Sequence, residues 1–329
     1  MSRTWWRWAR LLAGVVILAG LIWKVGTGPF LDGLATINFW TLAAAVGIAA
    51  VTTLCCAWRW SLVAHGLGVA VPLRVAFAAY YRSQFINTTL PGGVLGDVHR
   101  GVRHGRDVGD VGRGLRAVGW ERTAGQVVQI VLTVVVLLLL PSPVHSSMPL
   151  IAVVLVAVVL GAVLLSRMLP RAGSSTVARV VRTVGADIRG GLLANRAWPG
   201  VVLASVLVVA GHTATFLIAA RTAGSTASIG QLLPLAVLNL LAMGIPLNIG
   251  GWGLREGAAA WAFAAAGLGA DLGVSTAVVY GVMALVASLP GAAVLLTEWV
   301  RGQLRKPEPA GPALWQAPAV VSPQGAARG

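Results

Sequence analysis

The sequence predicts an all-α polytopic membrane protein, with six to eight transmembrane helices plus at least one re-entrant broken helix, a possible inverted repeat, and both termini cytoplasmic. Three observations carry that reading. The 329 residues are 57% hydrophobic and only 11% charged, with a mean hydropathy of +0.81, which is far too apolar for a chain that keeps a polar surface in water. Apolar runs close to the roughly 20 residues that cross a bilayer recur along the chain. The basic residues, finally, sort by connection instead of spreading evenly.

The first run, at about 9–25, follows MSRTWWRWAR. Basic residues before an apolar stretch resemble a signal peptide, but no small-x-small cleavage site follows, so this is read as an uncleaved first helix. Further runs lie at about 38–57, 120–140, 148–168, 199–220, 229–247, 253–268 and 274–297, with a shorter and more polar one at 75–90. Trp5, Trp6, Trp8, Trp23, Trp40, Trp58, Trp60, Trp120, Trp198 and Trp299 fall at their edges, as interface-seeking indoles should. Residues 1–302 are expected to form a single transmembrane domain, with possible repeat halves at about 1–147 and 148–302. The Pro-, Ala- and Gly-rich segment 303–329 reads as a disordered cytoplasmic tail.

Sidedness follows from Lys and Arg. The N-terminus, 59–74, 98–119, 167–198 and 301–306 together hold nineteen, whereas the alternating connections hold only Lys24 and Arg221. The first group is therefore assigned to the cytoplasm. Because 75–90 has basic connections on both sides, it is expected to enter and leave from the cytoplasm as a re-entrant helix. The pair 229–247 and 253–268 begins and ends outside. It either crosses twice with a tight cytoplasmic turn or folds back at depth, and charge counting does not separate the two.

The net charge of +15 would suggest nucleic-acid binding in a soluble protein. Here the basic residues are topogenic, so no nucleic-acid partner is expected; anionic membrane lipids at the cytoplasmic loops are. Cys55 and Cys56 sit side by side in an apolar run and imply neither a disulfide framework nor a metal site. The five histidines show no zinc spacing, and His99 with His104 reads as headgroup-level charge. His212, mid-helix, is read as buried and hydrogen-bonded. No P-loop, nucleophile elbow or paired-carboxylate pattern is present. No catalytic residue, cofactor or metal is expected.

Two stretches break the apolar pattern: LPGGVLGDVHR at 90–100 and IPLNIGGWGLRE at 245–256. Each ends an apolar segment with Pro and clustered Gly, then presents an acid and an arginine. Charge and non-helical backbone at membrane depth survive only where protein or a wet cavity covers them, so both stretches are candidate sites. In the first, Pro91, Gly92, Gly93 and Gly96 free backbone amides that suit an anion such as a lipid phosphate. Asp97 and Arg100, three apart, share a helix face, either as a headgroup site or as a plain interfacial salt bridge. Upstream, Arg82, Gln84 and Asn87 should face a protein interior or a wet cleft, with snorkelling of Arg82 as the alternative. Glu121 and Arg122 are consecutive, point about 100° apart and should each find a partner elsewhere; Asp97 or Arg100 would suit. In the second stretch, Asn248 precedes Gly250, Gly251 and Gly253, which form a plausible anion-accepting nest. Glu256 suits the positive end of the next helix, but Arg255 does not, which points to an outside partner.

On LPGGVLGDVHR, then WER at 120–122, then PLNIGGWGLREG at 246–257, the chain resembles the lysylphosphatidylglycerol synthase transmembrane-region family. This family forms the flippase-like membrane part of multiple peptide resistance factor proteins and also occurs as stand-alone proteins. The likeness covers roughly residues 10–300. It implies a multi-pass protein of the bacterial cell membrane that flips a phospholipid or polyprenyl-linked lipid between leaflets, with Asp97, Arg100, Glu121, Arg122, Arg255 and Glu256 at matching motif positions. The soluble aminoacyl-transferring domain of the full-length proteins has no counterpart here, which argues against lipid synthesis by this chain alone. Two rival functions stand beside transport. One is an accessory subunit for a membrane synthase or glycosyltransferase, and the other is an enzyme that modifies lipid headgroups with Asp97 or Glu256 as base.

Overall fold

A computed structural model describes Trp23 and residues 26–90, 93–168, 176–194, 197–245 and 253–304. Most of the expected first helix, both glycine-rich turns (91–92 and 246–252) and the tail from residue 305 lie outside the described residues. So do five of the expected site residues: Pro91, Gly92, Asn248, Gly250 and Gly251.

Among the described residues the chain is helical throughout. The helices are α1 (Gly28–Ala35), α2 (Phe39–Gly66), α3 (Leu73–Thr89), α4 (Leu95–Asp107), α5 (Val111–Leu139), α6 (Met148–Met168), α7 (Thr176–Asp187), α8 (Trp198–Thr222), α9 (Ile229–Met243), α10 (Leu254–Ala265), α11 (Ala270–Ser288) and α12 (Pro290–Leu304). Five segments are long and apolar enough to cross a membrane: α2, α5, 145–164, α8, and α11 with α12 taken together. The aliphatic side chains of Leu150, Val153, Val156 and Leu160 on α6 are exposed, as lipid-facing residues should be.

The centre is the crossing of α2 and α8. These helices run antiparallel, with Thr41 and Thr222 hydroxyls 3.3 Å apart at one end and Arg59 donating to Ser205 at 3.0 Å further along. Close approach there requires small residues: a Cβ on Gly211 would come within 2.3 Å of the Thr52 methyl. Around this pair the chain lays down the same order twice. A long helix, two short helices forming a hairpin, and another long helix appear as α2, α3/α4, α5 and again as α8, α9/α10, α11. The contacts correspond as well: α4 packs on α5 as α10 does on α11, and α3 packs on α11 as α9 does on α5.

The first hairpin is tight, and so is the packing of α10 on α11. In the first, a Cβ on Gly96 would lie 2.1 Å from the Ser83 carbonyl oxygen, and the Gly96 amide donates to Asn87 Oδ1 at 2.7 Å. On the α10/α11 side, Gly273 abuts the Ala259 carbonyl in the same way, at 2.4 Å.

Some sequence expectations need correction. The stretch 98–119, counted as a basic connection, is α4 and the first turns of α5, which begins at Val111 where Asp110 accepts from the Arg113 amide at 2.8 Å. Apolar run length detects only the lipid-facing part of such a helix, whereas the cap fixes its true start. The run 274–297 is two helices, because Pro290 has no amide to continue α11 and instead occupies the first position of α12. Trp60 is not an interface residue; it is 1% exposed, inside the bundle.

Candidate functional site

Asp97 is the third residue of α4, where a carboxylate is favoured by the helix dipole. Burial without partners would neutralise or expel it. Four donors prevent that. Ser83 Oγ and Arg100 Nη2 lie 3.1 and 3.0 Å from Oδ1, Asn87 Nδ2 lies 3.0 Å from Oδ2, and Arg122 Nη2 closes on Oδ2 from α5.

Glu121, fully buried on α5, is served as completely. Its Oε1 accepts from Arg59 Nε at 2.8 Å, Arg59 Nη2 at 2.5 Å and Tyr80 Oη at 2.7 Å, and its Oε2 from Arg100 Nη2 at 3.1 Å. The Arg100 guanidinium stacks 3.9 Å over the Tyr80 ring and 4.5 Å from the Trp60 ring, so π-faces replace part of its lost hydration. The linked set comprises Arg59, Arg100 and Arg122 against Asp97 and Glu121, leaving one positive charge in excess. Arg122 carries that excess to the surface, because its side chain is 49% exposed whereas that of Arg100 is 0%.

Arg122 opens onto a groove of about 660 Å³ between α4, α5 and the end of α9. Asp97, Arg122, Thr123 and Gln126 form its polar side, and Val94, Val98, Leu115, Val127, Ile130 and Met243 its apolar walls. Several of those aliphatic side chains are exposed, so the walls run out to the flank of the bundle. Gly93, beside the first glycine-rich turn, and Gly244, just before the second, both border it. Described residues flanking both interruptions thus line one cavity. Deeper in, Arg122 and Gln126 also border a more polar chamber of about 280 Å³ with Gln84, Asn87, Gln129 and His212. His212 accepts or donates at 3.1 Å to the Tyr280 hydroxyl, and both border the next cavity inward, of about 200 Å³.

The second hairpin supplies a buried pair. Gly253 adopts φ +104°, a left-handed conformation that glycine alone takes at low cost, and its amide donates to Glu256 Oε2 at 2.6 Å. Arg255 Nε and Nη2 donate to Glu256 Oε1 at 2.9 and 2.5 Å. Its guanidinium sits 5.9 Å from the Tyr280 ring centre, in space that Gly281 leaves open: a Cβ there would meet Arg255 Nη2 at 2.1 Å.

A family model described as "Lysylphosphatidylglycerol synthase TM region" matches residues 8–291. The chain belongs to this family. No curated protein and no solved structure matches it. The lysylphosphatidylglycerol synthase TM region is the non-catalytic membrane part of proteins tied to lipid synthesis or transport, and the chain is accordingly a multi-pass membrane protein.

For this family member the sequence-derived residues divide into three groups. Gly93, Asp97 and Arg122 border the groove; Gly96, Arg100 and Glu121 stand directly behind them and hold them in place. Gly253, Arg255 and Glu256 form a separate cluster beside Tyr280. Arg82 belongs to none of the three: it is 3% exposed on another face of α3, bound by Glu298 of α12 at 2.5 Å, so it does not snorkel. Arg255, expected to seek an outside partner, is instead bonded to its chain neighbour Glu256. His104 is not a headgroup-level charge, since it is buried, 2.7 Å from the Val69 carbonyl oxygen and edge-on to Trp60.

Sequence reasoning missed Arg59, Tyr80, Trp60 and Glu298 as participants. Arg59 had a readable signal, because Cys56, Arg59, Trp60 and Val63 recur at helical spacing along one buried stripe of α2. Nothing in the sequence ties Glu298 to Arg82.

Proposed function

We propose that the chain moves a phospholipid or other phosphate-bearing amphiphile between leaflets of a bacterial cell membrane, using the groove at Arg122 as the headgroup station. The observation that carries this is the groove's division into one cationic polar end and aliphatic walls that reach the lipid-facing flank, which matches an amphiphile entering sideways. The single excess positive charge, displayed by a half-exposed arginine, suits a monoanionic phosphodiester.

Re-entrance accounts for the short helices. At about 1.5 Å per residue, α3 and α4 reach about 26 and 20 Å, and α9 and α10 about 22 and 18 Å, all below the roughly 30 Å hydrocarbon core. On this reading α3/α4 dips in from the cytoplasm and α9/α10 from outside. The doubled helix order and the antiparallel α2/α8 pair support an inverted repeat whose two halves rock about the groove. Asp97 and Glu256 are then counterparts, each the third residue of the returning arm of its hairpin.

A headgroup-transferring enzyme is the weaker reading. Asp97, Glu121 and Glu256 are each engaged by arginine, which disfavours a carboxylate acting as base.

The test is headgroup exposure of fluorescent phosphatidylglycerol in proteoliposomes. Wild type is expected to translocate it, and Arg122→Gln to slow it by about tenfold or more while remaining folded. Wild-type vesicles no faster than empty ones would favour an accessory role, and an unchanged rate in Arg122→Gln would reject the assigned station.

A further inference from the structure

A second basic cavity lies on another side of the first hairpin, between α3, α4 and α12, with a volume of about 330 Å³. Its mouth carries Arg74, Arg103 and Asp107, all exposed, and its floor carries Trp60, Arg82 and Arg100, all nine-tenths buried or more. Four buried nitrogens of these floor residues have no hydrogen-bond partner among the described residues: Trp60 Nε1, Arg82 Nε, and Arg100 Nε and Nη1. Buried donors left unpaired are costly in a finished protein core and are expected where a ligand completes the set.

One anionic group already marks the place. The Glu298 carboxylate bridges two arginines, with Oε1 2.5 Å from Arg82 Nη1 and Oε2 2.5 Å from Arg103 Nη1. Its side chain is 31% exposed and comes from α12, which begins at Pro290 after the end of α11 and packs along α3. This is an internal counter-ion at a mouth, not a sealed core pair.

We propose that this cavity is an oxyanion site for a phosphate group, occupied at rest by the Glu298 carboxylate, which an incoming phosphate displaces. The proposal rests on the transport reading above and deepens it by giving the hairpin two phosphate stations. One is at Arg122 and the other at Arg82 and Arg103, with Arg100 between them. Arg100 borders this cavity while its Nη2 holds Asp97 and Glu121 behind the groove. Displacement of Glu298 would leave two guanidiniums facing a phosphate, the geometry in which charge-assisted bonds are strongest.

The test uses the full chain in detergent, titrated in one arm with inorganic phosphate against thermal unfolding. A second arm uses nanodiscs of phosphatidylglycerol and phosphatidylcholine, with retained lipid read by native mass spectrometry. Arg103→Gln is expected to weaken binding about tenfold, and Glu298→Gln to strengthen it several-fold, since it removes the competing carboxylate. The opposite signs separate a ligand site from a structural ion pair. Effects confined to the nanodisc arm identify a lipid headgroup, and effects in both arms a phosphate site indifferent to its carrier. Glu298→Gln weakening binding as Arg103→Gln does, or neither variant changing it in either arm, would overturn the proposal. Because the exposed Arg103 decides the outcome, a folding defect in Arg82→Gln does not matter. Translocation by Arg122→Gln is measured separately, so this site and the groove can fail independently.

Discussion

Asp97 and Glu121, on different helices, hold the same nitrogen: Arg100 Nη2 is 3.0 Å from Asp97 Oδ1 and 3.1 Å from Glu121 Oε2. The half-exposed Arg122 is therefore positioned by an acid whose own position is set by a fully buried ion cluster. Arg59 ties that cluster to α2 and, through Ser205, to α8. Fixing a groove-facing cation in this way limits its reorganisation when an anion binds.

Removing the buried acid should cost far more stability than removing the exposed arginine. Glu121→Gln leaves Arg59 buried without a carboxylate and Arg100 with Asp97 alone, and breaking a buried pair from one side costs about 3–5 kcal/mol. Arg122→Gln, at a half-exposed position, should cost about 1 kcal/mol or less. Reversible unfolding in mixed micelles measures both, and equal losses would refute the inner-and-outer arrangement.

The first hairpin should not tolerate a side chain at Gly96. With the Ser83 carbonyl 2.1 Å from the position of a Cβ, the arms of α3 and α4 must separate, which breaks the Asn87 and Ser83 bonds to the α4 start. Gly96→Val is expected to destabilise by about 1–3 kcal/mol and to abolish translocation. Cross-linking of cysteines placed at the hairpin tips would report the wider spacing, and wild-type spacing together with wild-type transport would contradict it.

The sequence made much of this legible because membrane insertion is a severe filter. Charge at a Pro-Gly break has few tolerable explanations, so Asp97, Arg100, Glu121 and Arg122 stood out, and the 100° offset of Glu121 from Arg122 correctly directed them to different partners. What stayed hidden depended on contacts between distant segments. Arg59 looked topogenic because the sign of a charge tells nothing of whether it points into a bundle. Glu298 sits within α12, the helix that follows the break at Pro290. Trp60 carried the usual interface signal, yet it lies beneath Arg100.

The second hairpin should fail through its cap. Glu256 serves both the Gly253 amide and Arg255, so Glu256→Gln keeps the shape but loses the charge that holds the guanidinium against Gly281. The expected loss is again about 3–5 kcal/mol, with the α10 start becoming accessible to hydrogen exchange before the rest of the bundle. Uniform exchange across all helices would indicate that the hairpin does not depend on this carboxylate.

Tyr80 separates two contributions to Arg100. Its hydroxyl donates to Glu121 at 2.7 Å, while its ring lies 3.9 Å beneath the guanidinium. Tyr80→Phe removes only the first; Glu121 retains its arginine donors, so the loss should be about 1 kcal/mol. Tyr80→Leu removes the π-face too, adding about 2 kcal/mol for a desolvated cation. In a Glu121→Gln background the hydroxyl has no carboxylate to serve, so Tyr80→Phe should cost measurably less there, a coupling that a double-mutant cycle reads directly. Additive losses in the cycle would show that the hydroxyl does not act through Glu121, and equal losses in the Phe and Leu variants that the ring does not stabilise the buried arginine.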